Sequence, residues 1–146
     1  MASTYLSINI HLVFATKERL HLIDDSWRDN LHAYIGGTAR GLGAAPLAVG
    51  GVTDHVHLLA GIKATHCVAD LAREIKKVSS LLATERHKGF GWQKGYGAFS
   101  VSASQVPSVA AYIQRQVEHH RKVSAIDELR EMLAEFNVAC DDRYFE

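Results

Sequence analysis

Two histidines separated by one apolar residue, His55 and His57, are the first candidates for chemistry in this 146-residue sequence. Side chains of a β-strand alternate between faces, so both imidazoles would point one way and Val56 and Leu58 the other. Two neutral imidazoles on one face can bind adjacent positions of a divalent metal. A chance pair in a chain with nine histidines is the alternative interpretation.

Tyr112 and Gln116 form a second pair, because a spacing of four residues puts them on one face of a helix. A tyrosine that attacks a phosphodiester conserves the bond as a phosphotyrosine, and a metal can activate such a site. The glutamine oxygen could complete a metal site begun by the imidazoles. Oxygen ligands favour Mg²⁺ or Mn²⁺, and imidazole favours Mn²⁺. A half-buried packing residue is the alternative for Tyr112.

A glycine-rich segment, residues 88–99, interleaves aromatic and basic side chains. Aromatic rings stack on unpaired bases and cations follow phosphates, so Lys88 and Lys94 are candidate DNA-binding residues. Trp92 and Phe99 are expected to pack on the core instead. A basic patch after Tyr112, which could also be a solvated helix face, supplies three further candidates: Arg115, Arg121 and Lys122.

Hydrophobic periodicity predicts the elements that position these residues. Strands are predicted over 5–15, 45–52, 55–62 and 98–102. Helices are predicted from 26 to about 41, over 68–86, from about 104, and over 124–136, with Ser26 and Ser124 each opening a capping box. The order β-α-β-β-α-β predicts one α+β domain over residues 1–146. It would be ferredoxin-like or RRM-like, an antiparallel sheet with helices packed on one face plus C-terminal helices.

Charge is distributed unevenly along the chain. Residues 1–122 contain 14 lysines and arginines against 9 acidic residues, whereas residues 123–146 contain 2 against 7. The net charge of zero argues mildly against a nucleic-acid binder, but the basic body argues for one. Apolar runs are too short to span a membrane, and Cys67 and Cys140 have no CxxC spacing, which favours a reducing cytoplasm.

Together these motifs resemble the single-tyrosine HUH transposases of small bacterial insertion sequences, the IS200-like family, and the related REP-associated tyrosine transposases. The resemblance covers nearly the whole chain in the family's order. It is carried by the segments 11–17, 54–59, 74–77, 92–100, 112–120 and 142–144. By this resemblance, His55 and His57 match the metal-binding histidines, Gln116 matches the third ligand, and Tyr112 matches the nucleophile.

The resemblance implies an enzyme that cleaves and rejoins single-stranded DNA at element ends through a 5′-phosphotyrosine. It further implies recognition of DNA hairpins, a divalent metal (Mg²⁺ or Mn²⁺), no nucleotide cofactor, and a homodimer. The site could be assembled within one chain or across the dimer. The protein would be cytoplasmic, and nucleoid-associated when bound to DNA. Its acidic C-terminal segment is expected to lie away from DNA.

Several alternatives stay open at this point. His11 is the rival metal ligand, although a strand histidine hydrogen-bonded to a sheet neighbour is commoner, and Tyr96 is the rival nucleophile on a flexible loop. Nucleotide hydrolases with a His-x-His-x-His strand would need a histidine where Leu59 stands. A domesticated, non-cleaving hairpin-binding protein would not need Tyr112 or Gln116. A ferredoxin-like binding module with no DNA role is the remaining alternative.

Overall fold

A computed structural model describes residues 3–119, 124–136 and 138. Its elements follow the predicted order: β1 (Asn9–Ala15), α1 (Asp25–Gly41), β2 (Ala45–Gly51), β3 (His55–Gly61), α2 (Val68–Arg86), β4 (Gly97–Val101), α3 (Val106–Gln114), α4 (Gln116–His119) and α5 (Ala125–Glu135). Short 3₁₀ turns at Lys17–Arg19 and Ala103–Gln105 precede α1 and α3. Within the described ranges, no helix has the length and apolar character that crossing a membrane requires.

The four strands form one antiparallel sheet in the order β2-β3-β1-β4. β3 and β1 are therefore interior strands, and the first six residues of β3 are all buried. A strand that is buried on both faces needs a layer of structure over each face. The predicted antiparallel sheet is confirmed, and so is the short hairpin turn between β2 and β3.

Helices α1 and α2 cover one face of the sheet and form the main hydrophobic core with it. The strands contribute alternating residues, as the sequence predicted: Ile10, Leu12 and Phe14 from β1, and Val56, Leu58 and Ala60 from β3. The helices contribute residues at helical spacing, among them Leu31, Ile35, Leu71 and Ile75. Because this core uses Val56 and Leu58, the residues that alternate with them in β3 face the opposite layer.

Helix α3 lies on that opposite face, where Ile113 packs with Leu59 and Val101 in a second, smaller core. Its backbone comes very close to β2 at Gly50. A Cβ atom on Gly50 would lie 2.1 Å from the carbonyl oxygen of Ile113. Only glycine permits this approach, which brings α3 down onto the strand next to β3.

Two predicted boundaries differ from the structure. β1 begins at Asn9 rather than Tyr5, because its neighbours β3 and β4 end opposite Asn9, at Gly61 and Val101. The N-cap of α1 is Asp24, not Ser26, and the Asp24 carboxylate accepts a hydrogen bond from the Ser26 N–H. The second predicted cap is confirmed, since the Ser124 hydroxyl accepts from the Asp127 N–H at the start of α5.

Candidate functional site

The paired histidines of β3 lie on the face of the sheet opposite to the main core. Their ring centroids are 5.0 Å apart, and His55 and His57 are 2% and 0% exposed. The predicted alternation is thus confirmed, with both imidazoles in the layer that α3 covers. Buried imidazoles need polar partners, and these come from distant parts of the chain.

Tyr112 and Gln116 meet these histidines within one chain. The Tyr112 ring centroid lies 5.8 Å from that of His57, and Gln116 Oε1 lies 3.2 Å from His55 Nε2. The prediction that both residues lie on one continuous helix is wrong. α3 ends at Gln114, where the Arg115 N–H is shared between the carbonyls of Ala111 and Tyr112, and Gln116 begins the short helix α4.

Glu128 of α5 lies at the centre of the cluster, with only 3% of its surface exposed. Its Oε1 is 2.8 Å from His57 Nε2 and 3.4 Å from His55 Nε2. Its Oε2 accepts a hydrogen bond from the Tyr112 hydroxyl and lies 3.1 Å from His119 Nε2. One carboxylate therefore contacts both the histidine pair and the tyrosine.

Sequence reasoning missed Glu128 and expected the acidic C-terminal segment to lie away from DNA. Glu128 belongs to that segment and lies inside the candidate site, whereas the position of the segment relative to DNA stays a prediction. A partial signal was present in the sequence, because the apolar Met132 stands four residues after Glu128. Residues four apart share a helix face, so Glu128 would point the same way as Met132, which the structure shows to be buried.

Each histidine is oriented by a second partner at its Nδ1 atom. The Asp54 carboxylate accepts from His55 Nδ1 over 2.7 Å, and His57 Nδ1 shares a proton with His11 Nε2 over 2.7 Å. Partners of this kind fix the ring and direct the Nε2 atoms into the cluster. His11 is thus the hydrogen-bonded strand histidine that was expected. Burial and the neighbouring His57 lower its pKa to about 3, which keeps it neutral.

The electrostatics of the cluster favour a positive charge beside Glu128. Burial alone would lower the pKa of His55, but hydrogen bonds and charges from Asp54 and Glu128 raise it to about 9. A protonated Nε2 then donates toward Gln116 and Glu128. Burial also raises the pKa of the Tyr112 hydroxyl well above its ordinary value, and the Glu128 carboxylate raises it further. The phenol therefore carries its proton in this arrangement.

The donor set fits a divalent cation. His55, His57 and Glu128 each offer one ligand atom, and these atoms lie within 4.8 Å of one another. Neighbouring ligands at right angles around a cation, with bonds near 2.1 Å, are about 3 Å apart. The separations here are 2.8 Å and 3.4 Å from Glu128 Oε1 to the two Nε2 atoms, and 3.2 Å from Gln116 Oε1 to His55 Nε2. Imidazole and carboxylate groups are both common protein ligands of divalent cations.

The predicted DNA-binding residues lie at the surface where they are described. Lys88, Lys94 and Arg115 are exposed, whereas Arg121 and Lys122 lie outside the described residues. Trp92 packs against the main core and Phe99 is buried, as expected.

The glycine-rich segment has an anchor that sequence reasoning did not identify. The Lys76 ammonium donates to the carbonyls of Gln93 and Gly95 and holds the segment against α2. The rival nucleophile Tyr96 is 41% exposed on this segment.

Comparisons with family models and with solved structures both found similar proteins. The family model described as "Transposase IS200 like" matches residues 4–116. A solved structure from Deinococcus radiodurans R1, assigned as a transposase, is 25% identical, with a TM-score of 0.63 over 80% of this chain and 96% of that chain. A REP-associated tyrosine transposase bound to a REP hairpin is 16% identical, with a TM-score of 0.57 over 77% of this chain and 68% of that chain, which shows a shared fold. No curated protein matches.

Proposed function

The chain belongs to the IS200-like transposase family, and from this membership we propose that it cleaves and rejoins single-stranded DNA at the ends of a mobile element. Tyr112 is the proposed nucleophile. Its oxygen attacks a phosphodiester phosphorus, the bond to the 3′ oxygen breaks, and the released strand ends in a 3′-hydroxyl. The other strand end stays on Tyr112 as a 5′-phosphotyrosine. Attack by a 3′-hydroxyl then reverses the step and frees the tyrosine.

The convergence of four residues from two distant segments carries this proposal. His55 and His57 on β3 lie beside Tyr112 and Gln116, which are more than 50 residues later in the same chain. The Tyr112 hydroxyl donates to Glu128, and the same carboxylate contacts the histidine pair, so the tyrosine and the imidazoles share one polar cluster. This contact between the four residues supports the proposal of metal-assisted tyrosine attack.

His55, His57 and Gln116 would hold a divalent cation, Mg²⁺ or Mn²⁺. When bound, such a cation polarises the scissile phosphate and offsets the negative charge that develops on it. The chain's own residues orient the site. Asp54 and His11 hold the two imidazoles at Nδ1, so that each Nε2 atom faces the cluster. We further propose that no nucleotide cofactor takes part.

The DNA substrate is proposed to be single-stranded with hairpin ends. The support is the similar fold of a REP-associated tyrosine transposase that is bound to a REP hairpin. Lys88, Lys94 and Arg115 are exposed and would contact phosphates, and Arg121 and Lys122 are proposed to extend this surface. The single-domain organisation and the homodimer implied by the family resemblance are part of the same proposal.

The experiment uses labelled single-stranded DNA from the ends of the element, incubated with the protein and Mn²⁺. Wild type should form a covalent protein–DNA adduct that survives denaturing electrophoresis. Tyr112→Phe should form none, whereas Tyr96→Phe should match wild type. An adduct with Tyr112→Phe would refute the nucleophile, and equal cleavage of duplex DNA would refute the substrate. Absence of any adduct with wild type would favour a non-cleaving DNA-binding protein.

A further inference from the structure

We infer that Glu128 is a fourth ligand of the divalent cation and the group that ties this cation to the Tyr112 nucleophile. The inference rests on the proposed function, in which His55, His57 and Gln116 hold the cation. It adds a ligand from α5, an element outside the segment that the family model matches, which ends at residue 116.

The first observation that supports this assignment is the position of the carboxylate. Glu128 Oε1 faces both metal-directed nitrogens, at 2.8 Å from His57 Nε2 and 3.4 Å from His55 Nε2. These are the separations that neighbouring ligands of one cation have, about 3 Å. Since the carboxylate is only 3% exposed, it has little access to water and needs positively charged or hydrogen-donating partners.

The second observation that supports Glu128 as a ligand is the charge of the site. Two neutral imidazoles and one neutral amide carry no charge, so His55, His57 and Gln116 alone would offer a dication no anionic ligand. Hard cations such as Mg²⁺ and Mn²⁺ are bound in proteins chiefly through carboxylates. The Asp54 carboxylate contacts His55 at Nδ1, not at the Nε2 atom that faces the cluster. Glu128 supplies the missing negative ligand directly.

The third supporting observation is that the two carboxylate oxygens have different partners. Oε1 faces the histidine pair, while Oε2 accepts the hydrogen bond from the Tyr112 hydroxyl. A cation on Oε1 would therefore hold Glu128 in place, and Glu128 would hold the tyrosine oxygen beside the cation. In this way Glu128 acts on the nucleophile as a positioning residue and on the cation as a ligand.

The test measures Mn²⁺ binding without DNA, by electron paramagnetic resonance of free Mn²⁺ during titration of the full chain. Glu128→Gln should raise the Mn²⁺ dissociation constant about tenfold or more. Glu128→Asp, which keeps the charge on a shorter side chain, should give an intermediate value. Glu135→Gln, an exposed change on the same helix, should match wild type. Circular dichroism of each variant confirms folding before titration.

The outcomes separate this inference from the proposed function. If His57→Ala abolishes Mn²⁺ binding and both Glu128 variants bind as wild type does, Glu128 is not a ligand and the proposed metal site stands. If His57→Ala binds Mn²⁺ normally, the proposed metal site and this inference both fail. If Glu128→Gln keeps its Mn²⁺ affinity and forms the DNA adduct faster, the carboxylate occupies the place of the scissile phosphate, and the inference is overturned.

Discussion

Replacing Gly50 by alanine tests how the second layer of the fold positions the active site. Gly50 lies on β2 opposite His57, and α3 crosses directly over it. The new Cβ would lie 2.1 Å from the Ile113 carbonyl oxygen, and real Cβ contacts almost never fall below 3.0 Å. Because that oxygen belongs to the backbone, no side-chain rotation relieves the clash. Helix α3 must move away from β2 by about 0.9 Å.

This displacement sets the expected size of two effects, one on the free energy of unfolding and one on the rate of adduct formation. Overpacking of this kind costs about 1–3 kcal/mol of the free energy of unfolding. Tyr112 is the neighbour of Ile113 and moves with it, whereas His55 and His57 stay on β3. A misplacement of about 1 Å between reacting groups can lower a rate about 100-fold. We therefore expect adduct formation to fall much further than the loss of stability alone would explain.

Two measurements check this expectation. Chemical denaturation gives the free energy of unfolding, and single-turnover adduct formation on single-stranded DNA, at a temperature where the variant is folded, gives the rate. The matched control is Gly37→Ala on α1, where no atom lies within 4 Å of the new Cβ. It should raise stability by about 0.5–1 kcal/mol and leave the rate unchanged. If Gly50→Ala is folded and reacts at the wild-type rate, the close approach of α3 does not position Tyr112.

Three further predictions concern pH, the core and DNA. In the metal-free protein, the His55 pKa is 6.5 unfolded and about 9 folded, so its stabilising contribution is complete below pH 6.5 and lost as pH rises through 9. Across this pH range the free energy of unfolding should fall by about 3 kcal/mol, measured by denaturation at each pH. Asp54→Asn should make this fall smaller, and a fall as large as that of wild type would contradict the prediction. Leu58→Ala, at a position 1% exposed, should cost about 2–5 kcal/mol in the same assay, and a loss below 1 kcal/mol would contradict its core position. Lys94→Gln should weaken single-stranded DNA binding and reduce the slope of log affinity against log salt by about 1. Lys63→Gln, two residues beyond the C-terminal end of β3, should change neither.

Much of the sheet was predictable because its patterns are local. Alternation in β3 gave both faces of the strand, since Val56 and Leu58 point to the core and His55 and His57 to the other side. The strand order and the second helical layer could not be predicted from such local patterns. They depend on contacts between segments far apart in sequence, for which periodicity provides no information.

The site was predictable only in part, for related physical reasons. The spacing of Tyr112 and Gln116 predicted that they act together. The break in the helix at Arg115 could not be predicted, because no glycine or proline stands there. Glu128 lies 71 residues from His57 in the sequence, and the acidic composition of its segment favoured a solvated helix. Its burial depends on the imidazoles that it contacts, so Met132 indicated the inward face of α5 but not the partners of Glu128.

The most direct measurement of the central claim is identification of the residue that carries the DNA. Adduct formed by wild type with single-stranded DNA and Mn²⁺ is digested with protease and nuclease, and the modified peptide is sequenced by mass spectrometry. We predict a single nucleotide-linked peptide with the 5′-phosphate on Tyr112. A phosphate on Tyr96 or on any other residue would contradict the assignment of Tyr112 as the nucleophile.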